Sequence, residues 1–201
     1  MTRRRLADLI LFGVTSVELV LLFLLTPTFT VADWIYVLQH LMVLGIAITR
    51  GGPKARDYSI GASVAVGIAY TYSYAQVIYL RWSPGYVASP QAGLVMVTLA
   101  AALSLVSLLR IGRSFGVRPA LRDLVTNGPY RIVRHPMYLA YVIADVGYNL
   151  QEWNLGTVLL VLVGWASLVY RIFAEERIVS QHPAWPDYAA SVRYRIFPGL
   201  W

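Results

Sequence analysis

GPYRIVRHPMYLAY, residues 128–141, gathers Arg131, Arg134, His135, two prolines and three tyrosines, then runs straight into an apolar segment. A helix that starts polar and aromatic and continues greasy needs two surroundings, one wet and one oily. What the neighbouring runs are therefore decides what this stretch is.

Those runs are long. Residues 9–25, 34–49, 60–80 and 92–109 are apolar, and residues 137–150 and 155–173 follow the quoted stretch. A helix crosses the hydrocarbon with about 20 mostly apolar residues, within a range of about 17–25. With interfacial ends allowed, the first four and the last qualify. The fifth run is short and contains Asp145, so whether it spans fully is left open. Only QEWN, residues 151–154, separates it from the sixth, which predicts a helical hairpin. The first run holds Glu18 and is followed by no small-residue cleavage pattern, so it is not read as a cleaved signal peptide.

Composition agrees. The 201 residues are 58% hydrophobic and 13% charged, against about 25% charged in soluble domains. There is no cysteine, which excludes disulfides and thiolate chemistry. The net charge of +7 does not imply a nucleic-acid partner, because the basic residues sort by topology. With six alternating segments, Arg3, Arg4, Arg5, Arg50, Lys54 and Arg56 fall on one side. So do Arg110, Arg113, Arg118, Arg122, Arg131, Arg134, Arg171, Arg177, Arg193 and Arg195. Arg81 alone falls opposite. The positive-inside rule puts both termini in the cytoplasm. The expected fold is all-α, a single polytopic membrane domain over residues 1–201 with about five to six transmembrane helices. Residues 1–109 supply four of them. Residues 110–201 supply the hairpin, with a cytoplasmic loop and a C-terminal tail closing over it.

Residues 110–136 are punctuated by Gly112, Gly116, Pro119, Gly128, Pro129 and Pro136, yet carry Phe115, Leu121, Leu124 and Val125, which want burial. An ordered loop is expected. The tail mixes Trp185, Tyr188, Tyr194, Phe197 and Trp201 with charges and predicts a short amphipathic helix over residues 186–193.

Ionisable groups within a bilayer face a cavity or a partner. On a helix from Pro136, Tyr138, Tyr141, Asp145 and Tyr148 recur at spacings of three and four and share a face. Two roles remain open for Asp145: an interhelical hydrogen-bond seam or a pocket wall. Glu18 and His40 read first as groups with a mutual or backbone partner. Tyr70, Tyr72, Tyr74 and Tyr79 read first as interfacial and interhelical residues, with a tunnel lining as the alternative. Arg171 and Glu175 are one turn apart and can pair. Glu175 and Glu176 lie where the sixth segment ends, a poor place for carboxylates unless they serve a ligand. A hairpin brings them to the same face as Arg134, His135 and a helix N-terminus. Such a site offers acceptors to an amine or ribose diol and donors to a carboxylate.

GPYRIVRHPMYLAY followed some 35 residues later by AEER resembles the membrane methyltransferases of the isoprenylcysteine carboxyl methyltransferase type, and phospholipid methyltransferases share a similar pattern. The upstream GRSFGV and LVTNGPYR are similar to bacterial members, which implies a prokaryotic cytoplasmic membrane. The resemblance covers roughly residues 108–201. It implies an S-adenosylmethionine site formed by Pro129, Tyr130, His135, Pro136, Tyr138, Glu175 and Glu176. It further implies catalytic or orienting roles for Arg171, Glu175 and Arg134, and acceptor contacts at Tyr141 and Asp145. The acceptor would be a lipophilic small molecule or a lipid-modified group among the membrane lipids, with no metal involved. Ala140 stands where the family often has glycine, which puts close backbone approach there in doubt. The tail YAASVRYRIFPGLW also resembles the end of sterol-type membrane reductases, so an NADPH-dependent reductase is the alternative. A non-enzymatic membrane protein retaining the fold is a third.

Overall fold

A computed structural model describes residues 31–49, 55–57, 59–116 and 118–201, with scattered positions between 13 and 24. Apart from those positions, the first apolar run lies outside the described residues, as do Glu18, Arg3 to Arg5, Arg50 and Lys54. The chain is mainly helical. In order come α1 (Val31–Thr49), α2 (Ile60–Trp82), α3 (Pro90–Ile111), α4 (Pro136–Gln151), α5 (Leu155–Val179) and the short α6 (Trp185–Ser191). The expected runs become helices because each is a long apolar stretch, and several open on a residue suited to a helix start. Ser59 accepts the Ala62 N–H at the start of α2. Pro90 and Pro136 open α3 and α4, where a missing N–H costs nothing. Asn154 and Thr157 form a reciprocal capping box that restarts the chain as α5.

The helices pack in antiparallel pairs. α3 lies on α4, where Gly93 faces Gly147. α2 lies on α5, where the Tyr72 ring covers Gly164 and Tyr79 covers Gly156. Small residues let helix backbones approach where solvent drives no association. α1 joins through Gln39, which donates to the Ala101 carbonyl at 2.9 Å and accepts from Ser104 at 3.0 Å. One end of the bundle is closed by the turns after α2 and α4. Tyr86 and Trp153 exchange backbone bonds there, and Glu152 accepts from Gly85 N–H at 2.8 Å.

At the other end the long loop is ordered, as its apolar content predicts. Ala120–Leu121 pairs antiparallel with Ala55–Arg56, and tight turns form at Gly112–Ser114 and Gly128–Arg131. Gly128 has φ +60°, and a Cβ there would stand 2.9 Å from the Arg110 side chain, so this turn requires glycine. α6 forms nearly where the tail predicts a helix.

Two helices among the described residues are long and apolar enough to cross a membrane, Pro90–Ser114 and Leu155–Val179. The other expected spans fall short of that measure for visible reasons. α1 and α2 bury Gln39, His40, Gln76 and Tyr72. α4 has 16 residues, about 24 Å of helix against a core of about 30 Å. Leu94, Val95, Leu99 and Val106 of α3 and Leu159, Leu162, Val163 and Phe173 of α5 point outward. α5 continues six residues past position 173, so Glu176 falls in its last turn and Glu175 just before it, at the helix end as expected. They are tolerated there because arginines meet both.

Candidate functional site

α4 begins where α5 finishes, so the short turn at residues 151–154 brings the RHPMY segment beside the paired glutamates. Arg134 donates from one Nη to Glu176 Oε1 at 2.7 Å. Its Nε donates to the Val192 carbonyl at 2.9 Å and its other Nη to the Arg193 carbonyl at 2.8 Å. Arg195 Nε donates to Glu176 Oε2 at 3.0 Å. Both Glu176 oxygens are therefore occupied by guanidinium groups, and Glu176 fastens the tail to α5. Arg134, expected either to orient the acceptor or to pair with the glutamates, takes the pairing role, because its fork is spent on Glu176 and two tail carbonyls.

Glu175 is placed differently. The Tyr138 hydroxyl donates to its Oε1 in a short bond. Arg171 Nη2 lies 3.7 Å from the same oxygen, as the i, i+4 spacing predicts. The two imidazole nitrogens of His135 face different carboxylates: Nδ1 is 3.7 Å from Glu175 Oε2, and Nε2 is 3.4 Å from Glu176 Oε1. The His135 and Tyr138 rings lie parallel, 3° apart in plane with centroids 5.5 Å apart. The Arg171 guanidinium sits 5.3 Å from the Tyr138 ring centroid. Glu175 keeps 23% of its side chain exposed against 11% for Glu176, so it is the more accessible carboxylate.

The expected N-terminal anion site of α4 is thin. Pro136 has no N–H, and the Tyr138 and Leu139 amides already bond the His135 carbonyl. Only Met137 remains of the first helical amides. Pro129 and Tyr130 form the turn beneath, where the Tyr130 carbonyl accepts from Tyr188 at 2.9 Å. Burial pushes the Tyr188 phenol up to about 12, which keeps it a donor. The backbone amides of Arg134 and His135 donate to the Tyr194 and Arg195 carbonyls, and Ile196 joins the core with Tyr138, Val142, Leu168 and Ile172.

From this cluster a cavity of about 690 Å³ runs into the bundle. Tyr130, His135, Tyr138, Tyr141, Asp145, Tyr148, Arg171, Glu175 and Glu176 all line it, together with Phe115 and Arg122 of the loop. The stripe on α4 thus faces the cavity along its length. So do Tyr70, Tyr72 and Tyr74, which favours the lining alternative for them. Tyr79 instead packs over Gly156. His40 also lines the cavity, and its Nδ1 lies 2.9 Å from the Tyr36 carbonyl, the backbone partner expected. Ala140 is buried in helix packing and is not part of the lining. Asp145, 3% exposed, accepts from Tyr72 at 2.9 Å and from Trp165 Nε1 at 2.8 Å, so it serves both as seam and as wall. Sequence reasoning missed Trp165 and Arg195. Nothing local marks an indole twenty residues away as a partner of Asp145, and Arg195 was legible only as one more tail cation. Among the described residues, no group of three or more potential ligand side chains is placed to hold a metal.

Comparison with known proteins converges on the same residues. Residues 89–182 match the family model described as phospholipid methyltransferase. A protein of Oryza sativa subsp. indica named "Probable protein-S-isoprenylcysteine O-methyltransferase" is 36% identical over 106 residues, covering 50% of this chain and 53% of its own length. Protein-S-isoprenylcysteine O-methyltransferases B and A of Arabidopsis thaliana are 33% and 31% identical, covering 45% and 50% of this chain and 46% and 55% of their own. The chain spans about half the length of the curated relatives it matches. The matched residues 89–182 hold both halves of the paired motif on which the resemblance rests. These relatives are plant proteins and lend no support to a prokaryotic origin.

Proposed function

We propose that the chain is a membrane-embedded methyltransferase that uses S-adenosylmethionine and transfers a methyl group to a lipophilic acceptor reaching the site from the bilayer. An isoprenylcysteine carboxylate or another lipid would fit. The observation that carries this reading is the convergence of Tyr130, His135, Tyr138, Arg171 and Glu175, all within the matched region, at one end of a cavity of about 690 Å³. Its volume lies within the roughly 300–1,000 Å³ typical of small-molecule sites. The residues suit the cofactor's groups. Glu175 accepts hydrogen bonds from an amine or ribose hydroxyls, the parallel His135 and Tyr138 rings offer flat faces, and the Met137 amide suits a carboxylate. Glu176 contributes by holding the tail that closes the site.

When bound, the cofactor supplies a methyl already activated by its sulfonium. The chain's task is then to position the nucleophile, an effect worth several kcal/mol. Arg171, buried beside Glu175, is the cation placed to orient an anionic acceptor. A carboxylate acceptor needs no base; a phenol, hydroxyl or amine would lose its proton to His135 or Glu175. The apolar faces of α3 and α5 stand in lipid in this reading. The basic end, with both termini, faces the cytoplasm. Residues 1–201 act as one membrane domain in which α1 to α3 wall the cavity and residues 110–201 form the cofactor-binding core.

Thermal unfolding with S-adenosylmethionine, S-adenosylhomocysteine and NADPH added separately tests it. A ligand that binds only the folded state raises stability by RT ln(1 + [L]/Kd). Stabilisation by the two adenosyl compounds alone is expected. Stabilisation by NADPH alone would replace the reading with a reductase.

A further inference from the structure

The cavity does not stand alone. A second cleft of about 350 Å³ lies between α4 and α5, with Val146, Leu150, Val158 and Leu162 among its walls. Leu162 is 51% exposed and Val146 37%, so the cleft reaches the outer surface that the apolar helices present to lipid. The two spaces share one lining residue, Asp145.

Asp145 is unusually placed to receive a ligand. Both of its hydrogen bonds, from Tyr72 and from Trp165, fall on Oδ2. Among the described residues no donor meets Oδ1 and no cation pairs with the carboxylate. Asp145 is 3% exposed overall, yet Oδ1 is not among the buried side-chain atoms left without a partner, so it opens to the space the two cavities share, where a donor can reach it. A structural seam alone would be served as well by an amide or hydroxyl, without a second acceptor oxygen.

We propose that Asp145 is a subsite for a hydrogen-bond donor, a hydroxyl or ammonium group, carried by a single-chain amphiphile whose apolar chain lies in the cleft between α4 and α5. Tyr72 and Trp165 hold Oδ2, which turns the remaining oxygen to the incoming head group. The cleft takes the chain, and the main cavity leads from the head group toward Glu175, seven residues and about 10 Å of helix from Tyr138 to Asp145. This deepens the methyltransferase reading and rests on it only for naming the amphiphile as acceptor; binding at Asp145 needs no cofactor. The acceptor class narrows accordingly to lipids with a donor group beside the chain, rather than a bare hydrocarbon tail.

The full chain in phosphatidylcholine nanodiscs is unfolded thermally with dodecan-1-ol, dodecylamine or dodecane at equal mole fraction. The alcohol or the amine, or both, raise the unfolding temperature and dodecane does not; which of the two acts shows whether the site takes a neutral or a charged donor. Asp145→Asn keeps an acceptor for Tyr72 and Trp165 but puts an amide N–H where Oδ1 was. It weakens binding of the active compound about tenfold or more, as loss of a charged hydrogen bond does. Leu162→Trp fills the cleft and abolishes the shift with Asp145 intact. Equal stabilisation by dodecane, no shift with any compound, or an Asp145→Asn response like that of the unmodified chain each overturns the proposal. S-adenosylhomocysteine is the separate readout: if it fails to stabilise the unmodified chain while dodecylamine succeeds, the methyltransferase reading falls and the subsite stands.

Discussion

Glu175 and Glu176 are adjacent in sequence and identical in chemistry, yet they do different work. Glu176 is gripped by Arg134 and Arg195, so Glu176→Gln removes charge-assisted bonds worth about 1.5–3 kcal/mol each. It is expected to lower the unfolding temperature without ligand. Glu175→Gln leaves the tail latched. It is expected to leave that temperature within a few degrees while weakening S-adenosylmethionine about tenfold or more, read from the ligand-induced shift. Tyr138→Phe keeps the ring beside His135 and loses the bond to Glu175. An effect of about 1 kcal/mol is expected, felt in cofactor affinity more than in stability. The residue types at these positions were legible, because RHPMY and AEER stand out in a greasy chain. The division of labour was not. It depends on which carboxylate the tail reaches, and that is set by residues 193–195 folding back onto Arg134, 59 positions before Arg193, and onto Glu176, 19 positions before Arg195.

Between helices, the glycines carry the packing. A Cβ at Gly147 would come 2.9 Å from the Gly93 carbonyl oxygen, and one at Gly164 would come 2.7 Å from the Tyr72 ring. Gly147→Leu is expected to destabilise by at least the roughly 1–3 kcal/mol of overpacking, and thermal unfolding in detergent checks it. Gly67 faces open space in the exposed middle of α2. Gly67→Ala is therefore expected to stabilise by about 0.5–1 kcal/mol, which makes it the matched control. Helix positions were readable from apolar runs and their caps. Which glycines meet a neighbour was not, since Gly67 and Gly164 look alike in sequence and only the partner helix tells them apart.

At the scale of the molecule, the basic end and the turn end of the bundle are expected on opposite sides of a membrane. The chain has no cysteine, so single cysteines report without background. Arg113→Cys and Ala88→Cys should label from opposite faces with an impermeant maleimide, the first from the cytoplasmic side. Labelling of both from one face would remove the spanning arrangement. Removing residues 194–201 takes away Arg195, the backbone bonds to Arg134 and His135, and Ile196 from the core. Faster amide exchange at residues 128–138 and loss of cofactor stabilisation are the expected results.

Sequence by itself determined the helices, the hairpin turn, the ordered loop and the identity of the residues gathered at the basic end. Those features are local: apolar length, proline and glycine punctuation, capping side chains and a compact motif. Tertiary structure alone decided that Trp165 and Tyr72 share one oxygen of Asp145 and that Arg134 clamps the tail. Each of these depends on contacts between groups far apart in sequence. Whether a buried charge is a wall, a seam or a clasp is fixed by the partner that neutralises it, and that partner is chosen by packing.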